Sequence, residues 1–214
     1  MELFVIDNPQ KFFNDGTFKQ IKVPRNDGTG LADYLLSGTY IKSIKVDGAN
    51  RKWVGTNDNG IYLISADGLE TIHHFTTENS PLPSDCIESI AINGKSGEVF
   101  IGTDKGMASY MSDATRAEEK LDENNVYAYP NPVKADYSGV ISIVGLTAGC
   151  NVKIVDAAGF LLNEGTSQGG KYNWNGRNRR GEKVASGVYY VLTYDSNGDE
   201  GPSKSTLSSS FTPT

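Results

Sequence analysis

The sequence predicts an all-β protein that consists of a partial β-propeller of about two blades and a C-terminal immunoglobulin-like β-sandwich. Two observations predict this architecture. A set of short strand-like segments is repeated once in the first half, and the second half contains six or seven short apolar segments separated by Gly, Asn and Pro turns. The predicted domains are the blades at 1–111, with repeats at 41–86 and 87–111, a charged linker at 112–125, the sandwich at 126–201 and a flexible tail at 202–214.

The repeat is carried by three matched pairs of segments. They are IKSIKVD (41–47) with IESIAIN (87–93), WVGT (53–56) with FIGT (100–103), and Gly60-Ile61 with Gly106-Met107. The first and third pairs are 46 residues apart and the second pair 47, so the length differences fall in turns, where insertions leave strand register intact. A period of about 40–50 residues with four strand-like segments is typical of a propeller blade.

The whole blade is predicted from four strands in order. These are IKSIKVD, RKWVGT (51–56), IYLIS (61–65) and ETIHHFT (70–76), the last being the predicted outer strand. Tight turns at Asn57-Asp58-Asn59-Gly60 and Asp67-Gly68 join the later strands, and ENSPLPSD (78–85) crosses to the next blade. Gly55 and Gly102 are expected where neighbouring blades approach closely.

Residues 1–36 are predicted to be the outer half of a preceding blade, because ELFVID resembles IYLISAD and TFKQIKV resembles LETIHHF. A propeller typically closes with about 4–8 blades, so these blades would leave open edges. We therefore expect a C-terminal piece of a longer protein, a truncated relative, or a chain that self-associates through open blade edges. The segment 1–7 lacks a basic region and has four consecutive apolar residues, which does not predict a signal peptide.

The sandwich is predicted from segments with strand-like composition. They are VYAYPNPV, GVISIVGL, NVKIVDAAG, FLLNEGTS, KYNWNG and SGVYYVLTYD. Pro130 and Pro132 predict an extended entry at the sandwich edge, and Trp174 predicts a large core anchor. Turns are predicted at Asn175-Gly176 and Arg180-Gly181. In the last strand, Val188, Tyr190 and Leu192 should face one side, and Tyr189, Val191 and Thr193 the other.

The segment SDATRAEEKLDENN (112–125) is highly charged and almost without apolar periodicity. It is predicted to be a linker with room for one helical turn. The tail at 202–214 is rich in Ser and Thr and is predicted to be frayed rather than part of a core.

The blade pattern resembles a known family of repeats. NSPLPSD, then I-x-S-I-x-x-D/N, then W/F-V/I-G-T-x-x-x-G are similar to the two-component-regulator propeller repeats of Bacteroidetes, over roughly residues 37–110. That resemblance implies extracytoplasmic sensor propellers, or PorZ-like accessory proteins of type IX secretion, in which a small β-sandwich follows the propellers.

The second half carries its own resemblance. YPNPV (129–133) and GGKYNWNGRNRRGEKVASGVYYV (169–191) are similar to the C-terminal sandwich of type IX secretion proteins and to the flagellar hook-capping protein FlgD. Such domains usually finish with a Lys and an apolar strand, whereas Lys204 is followed here by STLSSSFTPT. This departure leaves two alternatives for the domain, a sorting signal and a docking module.

Together the two resemblances imply a PorZ-like, non-catalytic binding protein of the periplasm, outer membrane or cell surface. Its partner would be a protein of the secretion machinery or a surface glycan, and its role would be type IX secretion or cell-surface attachment. The alternative is the periplasmic ligand-sensing region of a hybrid two-component sensor, which takes part in signal transduction. The resemblance implies neither an enzyme nor a cofactor.

Composition narrows the possible partners. A net charge of −6 argues against a nucleic-acid groove and gives no reason to expect attraction to an anionic membrane surface. No run approaches the roughly 18–20 apolar residues of a membrane span. Cys86 and Cys150 lie in different predicted domains, so each is expected to be a buried apolar residue rather than part of a disulfide framework.

Two patterns could indicate catalysis or metal binding. Gly165-Thr166-Ser167-Gln168-Gly169 matches the G-x-S-x-G of a hydrolase nucleophile elbow, but the next segment is a strand and both histidines precede Ser167. A Gly-rich hairpin loop is the better interpretation. His73 and His74 are adjacent, so on a strand they should point to opposite faces and bind no shared metal.

Other polar clusters are interpreted as turns. Asp195-Ser196-Asn197-Gly198-Asp199 starts like a calcium loop, but its twelfth position is Thr206 rather than Glu. It is predicted to be a turn, as are Asn57-Asp58-Asn59-Gly60 and Asn14-Asp15-Gly16.

Two further clusters could bind a ligand. Arg177, Arg179 and Arg180, with Trp174 and Asn175, could grip an anionic sugar or a carboxylate, although a solvated hairpin tip is favoured. The aromatic residues of the repeats are expected to pack between blades rather than to line a pocket. They are Trp53, Phe100, Tyr62 and Tyr110. The sequence contains no P-loop, dinucleotide-binding or zinc motif, and it does not identify a binding site.

Overall fold

The structure is a computed structural model that describes residues 3–6, 8–24, 32–122, 124–134, 136–195 and 203–207. Its regular elements are strands apart from one short helix, so the predicted all-β class is confirmed. The chain divides into two compact units, the first made of residues 1–93 and 98–111 and the second of residues 94–97 and 112–214.

The first unit begins with two small antiparallel pairs. Strand β1 (Phe4–Val5) pairs with β2 (Lys19–Gln20), and β3 (Lys22–Pro24) pairs with β4 (Ala32–Tyr34). Helix α1 (Pro9–Asp15) between β1 and β2 was not predicted.

The ends of α1 follow ordinary capping rules. The side chain of Asn8 accepts a hydrogen bond from the backbone N–H of Lys11 at 3.0 Å, and Pro9 occupies the first helical turn. Gly16 ends the helix with φ at 69°. The turn predicted at Asn14-Asp15-Gly16 is therefore the C-terminal cap of a helix.

The first repeat forms a four-stranded antiparallel meander. Its strands are β5 (Ile41–Val46), β6 (Lys52–Thr56), β7 (Ile61–Ile64) and β8 (Thr71–Phe75), in that order across the sheet. This is the strand order predicted for the whole blade. The second repeat forms a three-stranded sheet of β9 (Ile87–Ile92), β10 (Glu98–Thr103) and β11 (Gly106–Met111), with β10 in the middle.

The two repeat sheets bury a common core, to which both contribute large apolar side chains. Its fully or nearly buried members are Trp53, Ile61, Leu63, Leu82, Ile87, Ile90, Val99 and Ile101. A Cβ placed on Gly55 would lie 2.5 Å from Ile87 Cγ2, so the predicted close approach of the repeats is confirmed there. At Gly102 the nearest atom is Oγ of Ser89, which lies on the paired strand of the same sheet, so a close approach of blades there stays a prediction.

The second unit contains two antiparallel sheets. The first has β12 (Tyr127–Tyr129), β13 (Ile141–Val144) and β16 (Lys171–Trp174) in the order β12-β13-β16. The second has β14 (Asn151–Asp156), β15 (Leu161–Thr166), β17 (Tyr189–Tyr194) and β18 (Ser203–Leu207) in the order β15-β14-β17-β18. The six predicted strands correspond to β12 to β17.

Both sheets of the second unit contribute to one apolar core, which includes the predicted anchor Trp174 at 1% exposure. Strand β17 shows the predicted alternation, since Tyr189, Val191 and Thr193 are buried whereas Tyr190 is exposed. Strand β12 lies at the edge of its sheet, immediately before the two prolines that predicted an edge position.

The segment predicted as a charged linker is part of the second unit in its described residues, 112–122 and 124–125. Thr115 forms a β-bridge with Gly169, and Glu118 forms one with Thr147. Ser112, Ala114 and Thr115 are buried, whereas most of the charged residues between and after them face solvent. The linker prediction is wrong here because short and uncharged side chains alternate with charged ones, a pattern hidden by the overall charge.

The flexible tail predicted at 202–214 needs correction in its described part, 203–207, whereas residues 202 and 208–214 lie outside the described residues. Ser203–Leu207 forms β18, which pairs antiparallel with β17 from Tyr189↔Leu207 to Thr193↔Ser203. Ladder hydrogen bonds come from the backbone, so Ser and Thr can complete a sheet edge without apolar side chains.

Candidate functional site

Ser167, the residue of the G-x-S-x-G match, is part of the folded framework of the second unit. Its side chain is buried, its hydroxyl donates to the carbonyl oxygen of Thr147 at 2.7 Å, and its Oγ accepts from the backbone N–H of Cys150 at 3.0 Å. Strand β16 follows it, as predicted. A hydroxyl held by two backbone groups on a strand-to-strand connection does not have the geometry of a nucleophile elbow.

His73 and His74 point to opposite faces of β8, as predicted. The ring of His74 stacks on Tyr62 with centroids 3.9 Å apart, and its Nε2 lies 2.9 Å from the carbonyl oxygen of Asn59. The ring of His73 instead contacts Phe75 at 5.3 Å and Tyr110 at 5.9 Å. Across the described ranges, no three His, Cys, Asp or Glu side chains come together as a metal site.

Two of the four repeat aromatics, Trp53 and Tyr110, pack together with Phe75 in the first unit, whereas Tyr62 stacks on His74. The ring of Tyr110 lies 5.7 Å from Trp53 and 5.1 Å from Phe75, which also stacks on Trp53 at 6.5 Å. Trp53 is completely buried, so it contributes to the core and cannot contact a ligand. Burial also raises the pKa of Tyr62, whose hydroxyl receives a hydrogen bond from Asn59.

The arginine cluster of the second unit stabilises its own turn. Trp174 Nε1 donates to the carbonyl oxygen of Arg177 at 2.8 Å, and Arg177 Nη1 donates to the carbonyl oxygen of Gly181 at 2.7 Å. Arg179 Nη2 lies 3.7 Å from Glu164 Oε1, and both side chains are exposed. These contacts fit the solvated hairpin tip better than a site that grips an anion with Trp174.

The cysteines are free thiols, with Cys86 partly buried and Cys150 fully buried. Burial raises the pKa of the Cys150 thiol, which keeps it protonated at neutral pH. The turn predicted at Asp195-Ser196-Asn197-Gly198-Asp199 lies, apart from Asp195, outside the described residues.

Sequence reasoning missed an apolar cavity of about 240 Å³ in the first unit. Its lining comes from β1, β5, β6 and β7 and from the segments around Ile21, Leu35 and Gly68. The one charged lining residue, Lys52, donates from Nζ to the carbonyl oxygens of Asn50 at 2.9 Å and Ala66 at 2.5 Å. No local pattern could reveal this cavity because its walls come from separate parts of the chain.

The seam between the two repeat sheets carries an ion pair. Lys42 Nζ on β5 lies 2.5 Å from Glu88 Oε1 on β9. Glu88 raises the pKa of Lys42 through this hydrogen bond, and Lys42 lowers the pKa of Glu88. Oppositely charged residues in neighbouring sheets can favour one alignment of the two sheets over others.

Several large side chains are exposed on the strands that end the sheets. Met107 and Met111 on β11 are 71% and 58% exposed, and Tyr127 on β12 is 61% exposed. Exposed strand edges are binding features because they offer unpaired backbone groups to an incoming strand. The described residues include no helix that is long and apolar enough to cross a bilayer.

No family model matches the chain, and no curated protein matches it. Among solved structures, it is similar to PorZ, a surface component of the type IX secretion system of Porphyromonas gingivalis, with 32% identity and a TM-score of 0.59. The similarity covers 98% of this chain and 28% of the PorZ chain. The chain therefore spans little more than a quarter of the length of that relative.

Two matches are extracellular domains of hybrid two component systems of B. thetaiotaomicron. One has 14% identity and covers 86% of this chain and 28% of its own, and the other has 17% identity and covers 81% and 24%. Both have a TM-score of 0.29. Over almost its whole length this chain is similar to a part of PorZ, as the resemblance in its sequence predicted.

Proposed function

We propose that the chain is a non-catalytic, extracytoplasmic interaction module that acts in type IX secretion or cell-surface attachment by docking a partner protein or a surface glycan. The observation that carries this proposal is the 32% identity with PorZ over 98% of the chain. PorZ is a bacterial surface component, which supports a location outside the cytoplasm.

The side chains that could take part in catalysis are engaged in contacts within the fold, which supports a binding role. The hydroxyl of Ser167 is hydrogen-bonded to two backbone groups, and the ring of His74 stacks on Tyr62. The guanidinium of Arg177 donates a hydrogen bond within its own turn. Each of these groups is used in the fold, whereas the exposed strand edges offer surface for contacts. A scaffold of this kind is better suited to binding a partner than to catalysing a reaction.

The proposal can be tested by exchanging parts with PorZ. The segment of PorZ that aligns with this chain would be replaced by the chain in P. gingivalis, and type IX cargo in the medium and on the surface would be measured. We expect the chimera to reach the surface and to support secretion. A chimera that is folded and present at the surface but secretes no cargo would contradict the proposal.

Two controls make the result interpretable. PorZ reintroduced through the same exchange should secrete normally. A chimera with an unrelated all-β segment of equal length should reach the surface without restoring secretion, which separates a specific role from simple spacing.

A further inference from the structure

Lys42 is the extra residue of a β-bulge in β5, because the register of β5 against β6 shifts between Ile41 and Ser43. Glu88 is skipped in the same way in the pairing of β9 with β10. A bulge turns the side chain of its extra residue out of the regular alternation of the strand. The two bulges therefore bring an amine and a carboxylate from successive repeats together, with Lys42 Nζ 2.5 Å from Glu88 Oε1.

Cys86 adds a thiol to these two groups. Its Sγ lies 3.5 Å from Lys42 Nζ and 3.5 Å from Glu88 Oε1. Lys42 comes from the first repeat sheet, whereas Cys86 and Glu88 come from the start of the second. We call these three residues the seam cluster. It places two nucleophilic atoms of different repeats, a nitrogen and a sulfur, in contact with each other and with a carboxylate that can accept their protons.

The backbone around Cys86 is held by both repeats. The N–H of Gly60, in the turn between β6 and β7, donates to the carbonyl oxygen of Asp85 at 3.0 Å. The N–H of Asp104, in the turn between β10 and β11, donates to the carbonyl oxygen of Cys86 at 3.3 Å. The N–H of Cys86 itself donates to Ser84 Oγ at 3.2 Å. The fold therefore fixes the position of the thiol relative to the amine.

The separation of the sulfur and the nitrogen suits a bridge of one oxygen atom. An oxygen bonded to both atoms would hold them somewhat closer than the observed 3.5 Å, and rotation of the flexible lysine side chain supplies the difference. The sulfur is also accessible to a small oxidant, because Cys86 is only partly buried. Peroxides oxidise such thiols to sulfenic acids.

We propose that the seam cluster is an oxidative modification site, at which hydrogen peroxide joins Cys86 Sγ to Lys42 Nζ through one bridging oxygen atom. A first peroxide transfers an oxygen atom to the thiol, which gives a sulfenic acid and one water. The ammonium of Lys42 passes its extra proton to Glu88. A second peroxide then accepts two electrons. The sulfenic O–H bond and one amine N–H bond break, the O–N bond forms, and this peroxide leaves as two waters.

The bridge would make the stability of the first unit depend on redox conditions. It joins the two repeat sheets covalently and closes a loop between residues 42 and 86, which restricts the unfolded chain as a disulfide does. Outside the cytoplasm, no glutathione pool keeps thiols reduced, so the bridge can accumulate there. This role is separate from the docking of a partner proposed above.

The test is mass measurement of the full chain and of its peptides, after reduction with dithiothreitol and again after treatment with hydrogen peroxide. We expect the oxidised chain to gain one oxygen atom and lose two hydrogen atoms. Peptide mapping should find a cross-linked peptide that contains residues 42 and 86, and dithiothreitol should reverse the change. The thermal unfolding midpoint of the first unit should rise by about 5–10 °C when the bridge forms.

Two lysine variants test whether the amine of Lys42 is required. Lys42→Arg keeps a positive charge beside Glu88 but has no primary amine, so peroxide should oxidise its thiol without forming a cross-link. Lys45→Arg is the matched control, because Lys45 is an exposed lysine on the same strand, and this variant should form the bridge as the wild type does.

Three results would overturn the proposal. The first is a wild-type chain without the cross-linked peptide, whether Cys86 stays a thiol or is oxidised to a sulfinic acid. The second is a cross-link at Cys86 that still forms in Lys42→Arg. The third is a cross-link that Lys45→Arg abolishes, which would place the reacting amine at Lys45 instead.

Discussion

Lys42 Nζ lies 2.5 Å from Glu88 Oε1, and the two residues hold the same position in successive repeats, 46 residues apart. Cys86 Sγ lies 3.5 Å from both groups. The same position of the repeat therefore carries Lys in the first copy and Glu in the second. The two side chains form an ion pair between neighbouring sheets. This pair gives the two sheets a polar contact beside their apolar core.

Reversing one charge of this pair should destabilise the first unit. In Lys42→Glu, two carboxylates face each other, so the urea midpoint should fall by a small amount, as expected for an exposed pair. The double variant Lys42→Glu, Glu88→Lys restores opposite charges and should recover most of the loss. A double variant that is less stable than both single variants would show that the contact does not depend on charge.

The stability contribution of the pair should depend on pH. The pKa of Glu88 is lowered by the hydrogen bond from Lys42, so its contribution is present above the ordinary value of 4.5 and is lost as the pH falls through the lowered pKa. The pKa of Lys42 is raised by Glu88, so its contribution is present below 10.5 and is lost as the pH rises through the raised pKa.

This dependence can be measured by urea unfolding of the wild type and of Lys42→Met across the pH range. The difference between their midpoints should be largest between pH 4.5 and 10.5 and should shrink toward both extremes. A constant difference would mean that Lys42 acts through packing rather than charge.

Alanine at Gly55 should destabilise the first unit more than alanine at Gly102. The new Cβ at 55 would lie 2.5 Å from Cγ2 and 2.9 Å from Cβ of Ile87, a completely buried side chain, so overpacking should cost about 1–3 kcal/mol. At 102 the nearest atom is Ser89 Oγ, which can rotate away. Thermal unfolding of both variants checks the difference, and equal losses would contradict the close approach at Ile87.

Asp47→Asn should also be costly. Asp47 Oδ2 accepts from Arg51 Nε at 2.8 Å, and its Oδ1 accepts from the backbone N–H groups of Ala49 and Arg51. The side chains of Asp47 and Arg51 are both buried, so removing the carboxylate charge deprives Arg51 of an ionised partner. The free energy of unfolding, measured by denaturant unfolding, should fall by about 3 kcal/mol. The second repeat has Asn93 at this position, and Asn93→Asp on that exposed residue should change stability by less than about 0.5 kcal/mol.

The elements that sequence reasoning identified are those with a local signal. Strands β5 to β7 and β9 to β11 followed from a pattern repeated in two copies, and β17 followed from six residues that alternate between the core and solvent. The helix was missed because its apolar positions, Phe12 and Phe13, show no helical periodicity, although Asn8-Pro9 is a capping signal. The predictions for the linker and for the described part of the tail were wrong because they followed the charge and the Ser/Thr content of these segments. The short strand-like patterns within them received less weight.

The amino-acid sequence by itself determined the all-β class, the repeat, most of the strands and the resemblance to PorZ, because alternation, turn residues and internal periodicity are properties of neighbouring residues. Tertiary structure alone decided the rest. It set the Lys42–Glu88 pair across the seam, the close approach of Gly55 to Ile87 and the burial of Ser167. These features depend on which segments of the chain meet in space, and the pairing of distant strands is governed by the packing of the whole core rather than by local preference.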